Sequence, residues 1–420
     1  MKKITLILLF AVCAASCSSG GTSPREYEPA LRPAARAQPP IAHRNTCALV
    51  PATTSGSSNS SARHDTAGAS LHDAWTSAGP GKNGIVPDLY HFVGGLWQQA
   101  VVPALNGSSN WNGAQLGPIA PVSDHDVWIA GAGIFQAGDV RVSASPQGGV
   151  VPQSPPPRSS YPFMLHWGGT SLKVVNQPPS TPTDVGLGFM AAVAPNDVWA
   201  TGSRTSQHPR RTYVAVMHWD GTRWASVANP ADEQSNATDT GLAAVARNDV
   251  EFGVSPVDSA PYIARWNGSA FIREPLPAEE GHTVGVQGIA DVEGSRDAGV
   301  WVLGYLQGAS APYLAHRRGP SWQTFYLSNL PATAVFNILA IIRNNYVLAF
   351  GSDAFGHNYV LSYNGSLWSL MQDVFPAGDT ALTAAPVTGT TDVWMTVNSP
   401  ASTGPKLSTF AELLHCRSNQ

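Results

Sequence analysis

Charged side chains are scarce in this chain of 420 residues. Asp, Glu, Lys and Arg make up 12% of it, about half of the usual share of about 25% in soluble proteins. The formal net charge is −4, from 24 basic and 28 acidic residues, and no stripe of basic residues stands out. A nucleic acid is therefore not an expected partner, because such ligands are held chiefly by clustered Lys and Arg.

The short motifs that carry familiar catalytic chemistry are also missing. There is no Gly-x-Ser-x-Gly turn, no His-Glu-x-x-His helix and no glycine-rich phosphate loop. No catalytic, metal-binding or cofactor-binding residue is predicted, so we expect a protein that is not an enzyme and has no cofactor. A degenerate hydrolase or a copper oxidase is a further alternative.

Long hydrophobic runs are lacking except near the start of the chain. Lys2 and Lys3 precede an apolar run over residues 4–12, which is too short to span a bilayer. Small residues follow it at positions 14–16. This order is typical of an export signal.

The residues Ala14-Ala15-Ser16-Cys17 resemble the lipobox of bacterial lipoproteins. The resemblance implies a signal peptide over 1–16, a lipid on Cys17 and, from Ser18, a place at the outer membrane. An ordinary signal peptide and a secreted protein are the alternative. Residues 17–45 are rich in small and polar residues and are expected to form a flexible tether.

Cysteine is rare, with four in the chain. Cys13 falls in the predicted signal and Cys17 is expected to carry the lipid. Cys47 and Cys416 remain, at opposite ends of the mature chain. In an oxidising compartment such a pair favours a disulfide.

What the sequence does contain is a phrase that returns about every fifty residues. It reads Asp-Val-Trp, a hydrophobic stretch, His-Trp, a Gly-containing turn and another Trp, most clearly over residues 190–227. A repeat of this length is typical of a four-stranded β-propeller blade. Seven blades are predicted, with six as the alternative. The position of the Asp in successive copies is held by Asp73, Asp126, Asp197, Asp249, Gly299, Asn345 and Asp392.

Each unit is expected to form four antiparallel strands. In the third unit these are 190–194, 198–202, 213–219 and 223–227, each a β-branched or aromatic run between turn residues. Asp220-Gly221 joins the last two, and similar Gly-containing pairs stand at the same place in other units. Such pairs supply the positive φ angles of tight hairpins.

The pattern of the last unit predicts only three strands, so closing the ring needs a strand from elsewhere. Residues 46–51 look like the fourth strands of other units, and we predict that they complete the last blade of a propeller over 46–420. Cys47 would then lie beside Cys416. A disulfide closing so long a loop stabilises by about 4–5 kcal/mol in the chain-entropy model.

One repeat interval is long because residues 132–160 are inserted between the second and third strands of the second unit. Together with a loop at 105–116 and a polar loop in the third unit, this insertion is expected to build one mouth of the ring. Function on a rigid scaffold usually lies on such loops, although an unselected, solvated insertion is the alternative. The candidate binding residues are Trp111, Gln136, Arg141, Arg158, Tyr161, Arg204, His208, Arg210 and Arg211.

The recurring His residues are interpreted as structural rather than as metal ligands. Equivalent positions in different blades spread around a ring and do not converge. We expect each imidazole to bond a neighbouring turn, each repeated Asp to bond its own turn, and the repeated Trp to pack between blades. The recurring His residues are His91, His166, His218, His316 and His415.

The phrases NDVWATG and MHWDGTRWASV resemble secreted and lipid-anchored propeller repeats of myxobacterial type, and are similar in general form to kelch and tectonin-like propellers. The likeness covers roughly residues 65–416 and implies a fold rather than an activity. Two functions are therefore kept open. The first is a non-enzymatic cell-envelope module that binds protein partners through its loop-rich mouth. The alternative is a carbohydrate-binding, lectin-like propeller with one shallow site in each gap between blades.

Overall fold

The regular structure of the chain is entirely β-strand in the residues that the computed structural model describes. These residues are 47–50, 63–80, 87–103, 111–135, 159–175, 184–207, 210–231, 236–278, 285–307, 311–327, 330–343, 345–376, 378–387, 390–399 and 408–416. Among them no helix is long and apolar enough to cross a membrane.

Twenty-eight strands follow one another along the described part of the chain. The first fourteen are β1 (Cys47–Val50), β2 (Arg63–Ala67), β3 (Ala74–Pro80), β4 (Pro87–Val93), β5 (Leu96–Gln99), β6 (Trp111–Ser123), β7 (Asp126–Phe135), β8 (Ser159–Trp167), β9 (Leu172–Val175), β10 (Asp184–Ala194), β11 (Asp197–Gln207), β12 (Arg210–Trp219), β13 (Trp224–Ser226) and β14 (Ala237–Ala246). The other fourteen are β15 (Asp249–Pro256), β16 (Tyr262–Trp266), β17 (Phe271–Pro275), β18 (Val286–Ser295), β19 (Gly299–Leu306), β20 (Pro312–Arg318), β21 (Ser321–Phe325), β22 (Val335–Arg343), β23 (Tyr346–Ser352), β24 (Asn358–Tyr363), β25 (Trp368–Gln372), β26 (Thr380–Pro386), β27 (Asp392–Ser399) and β28 (Ser408–Cys416).

These strands form seven four-stranded antiparallel sheets, and the protein is a seven-bladed β-propeller. Blades 1 to 6 each use four consecutive strands, beginning with β2, β6, β10, β14, β18 and β22. The predicted count of seven is confirmed, and the alternative of six is wrong. The first unit, whose sequence is the most degenerate, forms a complete blade from β2 to β5.

Blade 7 is closed by the N-terminal strand, as predicted. Its strands lie in the order β1-β28-β27-β26, and the register places Cys47 opposite Cys416 and Val50 opposite Leu413. The last sheet therefore joins the two ends of the propeller through backbone pairing.

Several strands are longer than the sequence predicts. In blade 3 the first strand starts at Asp184 rather than near 190, and β11 and β12 stay paired out to Gln207 and Arg210. These extensions contain Gly186, Gly188 and a run of polar residues, a composition that resembles a loop. The backbone ladder continues there because hairpin pairing needs no hydrophobic face.

The predicted hairpin turns between third and fourth strands are confirmed. Gly221 and Gly365 have φ angles of 93° and 96°, a region in which a side chain is strained. In both turns the preceding Asp or Asn accepts two backbone N–H groups, as Asp220 Oδ1 does from Thr222 and Arg223 at 2.8 and 2.9 Å. In each of these hairpins the Gly provides the positive φ angle, and the side chain of the preceding residue stabilises the turn by hydrogen bonds to its backbone.

The hydrophobic core lies between the blades, so that each sheet is packed on both faces. The Trp of the Asp-Val-Trp phrase is at most 1% exposed wherever it occurs. These residues are Trp75, Trp128, Trp199, Trp301 and Trp394. Their expected role in packing between blades is confirmed, and they form no exposed platform.

Candidate functional site

Two faces of the ring differ in the connections they carry. The insert face is defined by the connections from second to third strands, which follow Phe135, Gln207, Pro256, Leu306 and Ser352. The turn face carries the short turns from first to second strands and the Gly-containing hairpins. β7 ends at Phe135 on the insert face, and residues 136–158 of the predicted insertion lie outside the described residues.

Several predicted binding residues lie in paired strands rather than in loops. Trp111 is the first residue of β6 and is paired with Phe135, so the expected loop over 105–116 is wrong in its second half. Tyr161 lies in β8, opposite Gly133. The insertion is shorter than 132–160 because β7 and β8 extend into it from both sides.

The basic residues of the third unit are also strand residues. Arg204 lies opposite Tyr213, Arg210 opposite Gln207 and Arg211 opposite Ser206. The guanidinium of Arg204 is 5.1 Å from the ring centroid of Tyr213, and Arg211 is exposed. They stand at the insert-face end of blade 3, on paired strands rather than in the expected polar loop. Four further predicted residues, Gln136, Arg141, Arg158 and His208, and the lipidation residue Cys17, lie outside the described residues.

The repeated His and Asp residues bind each other inside a blade, close to the turn face. His91 Nε2 donates to Asp73 at 2.8 Å and His218 Nε2 donates to Asp197 at 2.8 Å. Blade 2 repeats this with His166 at 2.9 Å. The expectation that each Asp bonds its own turn is wrong for these blades, because the third strand brings an imidazole opposite the Trp that follows the Asp.

Each of these imidazoles also stacks on the Trp of its own blade. The ring centroids of Trp75 and His91 are 4.0 Å apart, and those of Trp301 and His316 are 4.1 Å apart. In blade 5 the position of the repeated Asp is occupied by Gly299. His316 Nε2 donates instead to the carbonyl oxygen of Ala298 at 2.7 Å. The imidazole thus belongs to an Asp–His–Trp cluster in blades 1, 2 and 3 and to a His–Trp pair in blade 5. Among the described residues no group of His, Cys, Asp and Glu could hold a metal ion.

One predicted equivalence is wrong. In blades 1, 2, 3 and 5 the His lies opposite the Trp of the second strand, whereas His415 lies opposite Asp392, two positions away. The residue opposite Trp394 is Leu413. A two-residue shift keeps the same side of the strand, so the local pattern did not reveal it.

A central channel runs between the first strands of all seven blades. The cavity measures about 550 Å³ and is lined by glycines and apolar side chains, among them Phe189 and Met190, together with three carboxyl groups. These belong to Asp65 on β2 and to Asp291 and Glu293 on β18. Asp65 is far from Asp291 and Glu293 in sequence, and none of the three belongs to the repeated phrase.

Two of these carboxylates connect neighbouring blades. Asp291 accepts the backbone N–H of Val292 on its own strand and that of Leu339 in blade 6, both at 2.8 Å. Asp65 accepts the N–H of Thr66 and that of Ile119 in blade 2, also at 2.8 Å. Each side chain therefore satisfies a backbone donor that the adjacent blade leaves open at a β-bulge.

Burial makes these channel carboxyls weak acids. It raises the pKa of Asp65 to about 6 and that of Asp291 to about 7, against the lowering effect of the backbone N–H bonds. The pKa of Glu293 is raised by burial and then by the negative charges of Asp291 and Asp65. The folded protein therefore binds protons that the unfolded chain releases.

We expect the stability of the propeller to fall as the pH rises from about 5 to about 8. A carboxyl whose pKa is raised on folding stabilises fully below its ordinary pKa, and this contribution is lost as the pH rises through the raised pKa. Urea unfolding at several pH values measures the slope. Glu293→Gln should make the slope shallower, whereas Asp258→Asn on an exposed loop should not. A slope of opposite sign, or one unchanged by Glu293→Gln, contradicts the expectation.

The insert face also exposes apolar side chains. Val257 is 74% exposed, Phe355 77% and Val335 52%. Val257 lies between the second and third strands of blade 4, and Phe355 and Val335 lie on blade 6. Arg211 is exposed on the same face of blade 3. The described part of this face thus combines exposed apolar groups with basic groups on a rigid scaffold.

No protein-family model matches the chain, and no curated protein sequence matches it. Solved structures do match it in fold. YCF48 bound to D1 peptide aligns with a TM-score of 0.51 at 14% identity, over 90% of this chain and 96% of that one. YCF48 from Cyanidioschyzon merolae aligns with a TM-score of 0.52 at 12% identity, over 88% and 98%. The β-propeller domain of Cps50 (Swd1) from Myceliophteria thermophila has a TM-score of 0.50 at 7% identity, over 83% and 95%.

These likenesses establish the propeller fold alone, because all the identities are far below the level at which function carries over. Fold similarity therefore leaves the catalytic status of this chain open.

Proposed function

We propose that this chain is a non-enzymatic binding module of the bacterial cell envelope that captures a protein partner on its insert face. A lipid on Cys17 would hold it at the outer membrane, and residues 17–45 would act as the tether of a propeller over 46–420. The proposal for the anchor is supported by the lipobox-like residues 14–17 and by the apolar run before them.

The observation that carries the proposal is the exposure of Val257, Val335 and Phe355 on the insert face. A Phe side chain that is three-quarters exposed contributes little to the stability of the fold. Aromatic and aliphatic side chains that become buried at an interface contribute much of the binding free energy. These residues sit in short connections or at strand ends, so little conformational entropy is lost on binding.

The chemistry of the partner follows from the same face. Arg204 and Arg211 lie on blade 3. We infer a partner segment with apolar residues toward blades 4 and 6 and acidic residues toward blade 3. One of the similar folds, YCF48, is described with a bound peptide, which supports the use of a propeller of this form for peptide capture.

Photo-crosslinking in cells that make the protein tests this proposal. A photoreactive amino acid would be placed at Val257, Phe355 or Arg211, and, as matched exposed controls on the turn face, at Thr222 or Ser366. We expect the three insert-face positions to yield the same protein adduct and the controls to yield none. Phe355→Asp should abolish the adduct at Val257 without changing the melting temperature. Adducts that form only from the turn face, or insert-face adducts unaffected by Phe355→Asp, contradict the proposal.

A further inference from the structure

The gaps between blades are filled by a repeated set of aromatic rings, and one gap lacks a member. In blades 1 to 6 the third-strand residue that follows the position of the repeated His is paired with a fourth-strand residue. That fourth-strand residue is aromatic in every one of these blades except blade 2. The pairs with an aromatic fourth-strand residue are Phe92–Trp97, Trp219–Trp224, Trp266–Phe271, Arg317–Trp322 and Tyr363–Trp368. In blade 2 the corresponding pair is Trp167–Leu172.

The fourth-strand ring usually stands against the buried Trp of the preceding blade. The centroids of Trp128 and Trp224 are 5.5 Å apart, and those of Trp301 and Trp368 are 5.9 Å apart. At the gap between blades 1 and 2, Trp75 contacts Trp167 at 5.2 Å, but Leu172 is too small to fill the remaining space. A groove of about 520 Å³ opens there, within the range of about 300–1,000 Å³ of small-molecule sites.

The floor of this groove has one accessible aromatic ring, and its rim carries no charge. The half-buried Trp167 forms the floor with Leu172, whereas Trp75 behind them is 1% exposed and covered by His91 at 4.0 Å. The rim includes the exposed polar side chains of Gln98, Thr170 and Ser171 and the exposed apolar side chain of Val101. None of the lining residues has a permanently charged side chain, and the lining His91 already donates its Nε2–H to Asp73.

The hairpin at the rim of the groove also lacks the side-chain hydrogen bonds that stabilise the corresponding hairpins of blades 3, 4 and 6. In blades 3, 4 and 6, Asp220, Asn267 and Asn364 each accept two backbone N–H groups of the turn. Blade 2 has Gly168 at this position, which has no side chain to accept them. The backbone N–H groups of Thr170 and Ser171 therefore lie beside the groove without an Asp or Asn side chain at position 168 to accept them.

We infer that the groove between blades 1 and 2 is a binding site for a neutral sugar ring. A pyranose has an apolar C–H face that fits the accessible part of the Trp167 indole, and an edge of hydroxyls that fits the amide, hydroxyl and backbone N–H groups of the rim. The lack of a fixed charge in the lining favours a neutral sugar over an acidic one. The site is single, unlike the expected series of one per gap, because the aromatic ring is missing from one gap alone among those of blades 1 to 6. It lies toward the turn face and does not depend on the insert-face proposal.

The test fills the groove with the ring that the other blades have. Binding of glucose, galactose, N-acetylglucosamine and their oligomers to the full chain would be measured by a glycan array and then by titration of tryptophan fluorescence. Leu172→Trp is expected to weaken binding of the best neutral sugar at least about tenfold and to keep or raise the melting temperature, since it restores the repeated packing. Lys173→Ala, on the next residue of β9, is the matched control and should bind as the parent protein does.

A second variant covers the case in which Leu172→Trp does not fold. Thr170→Trp places a bulky group on the exposed rim and should block the groove equally. The inference is overturned if no neutral sugar binds, if binding survives both Trp variants, or if the groove instead captures peptides through an aromatic side chain. Insert-face crosslinking should be unchanged in all these variants, which separates this test from that of the proposed function.

Discussion

Replacing Arg317 by Met is expected to lower the free energy of unfolding by about 3–5 kcal/mol. Arg317 is 2% exposed, and its guanidinium donates to Asp249 at 2.9 Å and to Glu251, which is fully buried. Removing the cation leaves the buried carboxylate of Glu251 beside Asp249, with Arg265 Nε, 3.2 Å away, as its remaining cationic partner. Burial already raises the pKa of Glu251 to about 7 against the opposing effect of Arg317, so the loss of Arg317 disfavours its charged form further.

The repeat explains why an ion pair lies here. Elsewhere the Trp after Asp-Val contacts the third-strand aromatic residue of the next blade, as Trp199 contacts Trp266 at 5.3 Å. Blade 4 has Glu251 in place of that Trp, with Arg265 opposite it in place of His. Blade 5 has Arg317 in the facing position. Between blades 4 and 5, the aromatic contact seen at other gaps is thus replaced by an ion pair between Glu251 and Arg317.

The double variant Glu251→Leu with Arg317→Met separates a lost ion pair from lost packing. It should recover most of the stability lost in the single variant, because replacing both members of a buried pair by apolar groups is close to neutral or stabilising. Arg223→Ala, at an ion pair with a 78% exposed arginine, is the control and should change stability by less than about 1 kcal/mol. Equilibrium urea unfolding measures all three. Equal losses in the single and double variants would show that the charges are not coupled.

Replacing Cys416 by Ser is expected to lower the free energy of unfolding by about 5 kcal/mol. We propose that Cys416 is bridged to Cys47. Directly opposed residues on antiparallel strands have Cα atoms about 4.5–5.5 Å apart, within the range of a disulfide. Two observations support the pairing: the two residues are register partners, and Cys47 is disulfide-bonded. The loop that the bridge closes contains almost the whole propeller, so its effect on the unfolded chain is large.

The variants that remove the proposed Cys47–Cys416 bridge should all have the same free energy of unfolding. Cys47→Ser, Cys416→Ser and the double variant are expected to lose the same stability, and a reducing agent should bring the parent protein to their level and leave them unchanged. Thermal and urea unfolding with and without reductant make the comparison. Free thiols at both positions in the exported parent protein, or a reducing agent without effect, would rule out the bridge.

The architecture could be predicted from the sequence because the strands and turns of each blade are determined by residues close together in the chain. Asp197-Val198-Trp199, the third strand and the Asp220-Gly221 hairpin determine their strands from nearby residues, and the spacing between copies counts the blades. The closure by residues 46–51 was also readable, because the last unit lacked a fourth strand and the N-terminal stretch matched one.

The site residues were less predictable, because polar strand ends look like loops. Arg204, Arg210 and Arg211 were expected in a polar loop and lie on a paired hairpin. The shift of His415 away from Trp394 was invisible for a related reason, since a two-residue shift preserves the alternation that a sequence shows.

Sequence alone determined the repeat unit, its number and the exchange of aromatic residues for charges at Glu251, Arg265 and Arg317. Only the tertiary structure decided which of these positions face each other, because contacts between blades join residues about fifty positions apart and ring closure brings Asp65 near Glu293. The groove at Leu172 has the same origin. A missing ring in one blade becomes a cavity through the Trp of the blade beside it, and that neighbour is set by packing of sheet against sheet rather than by any local pattern.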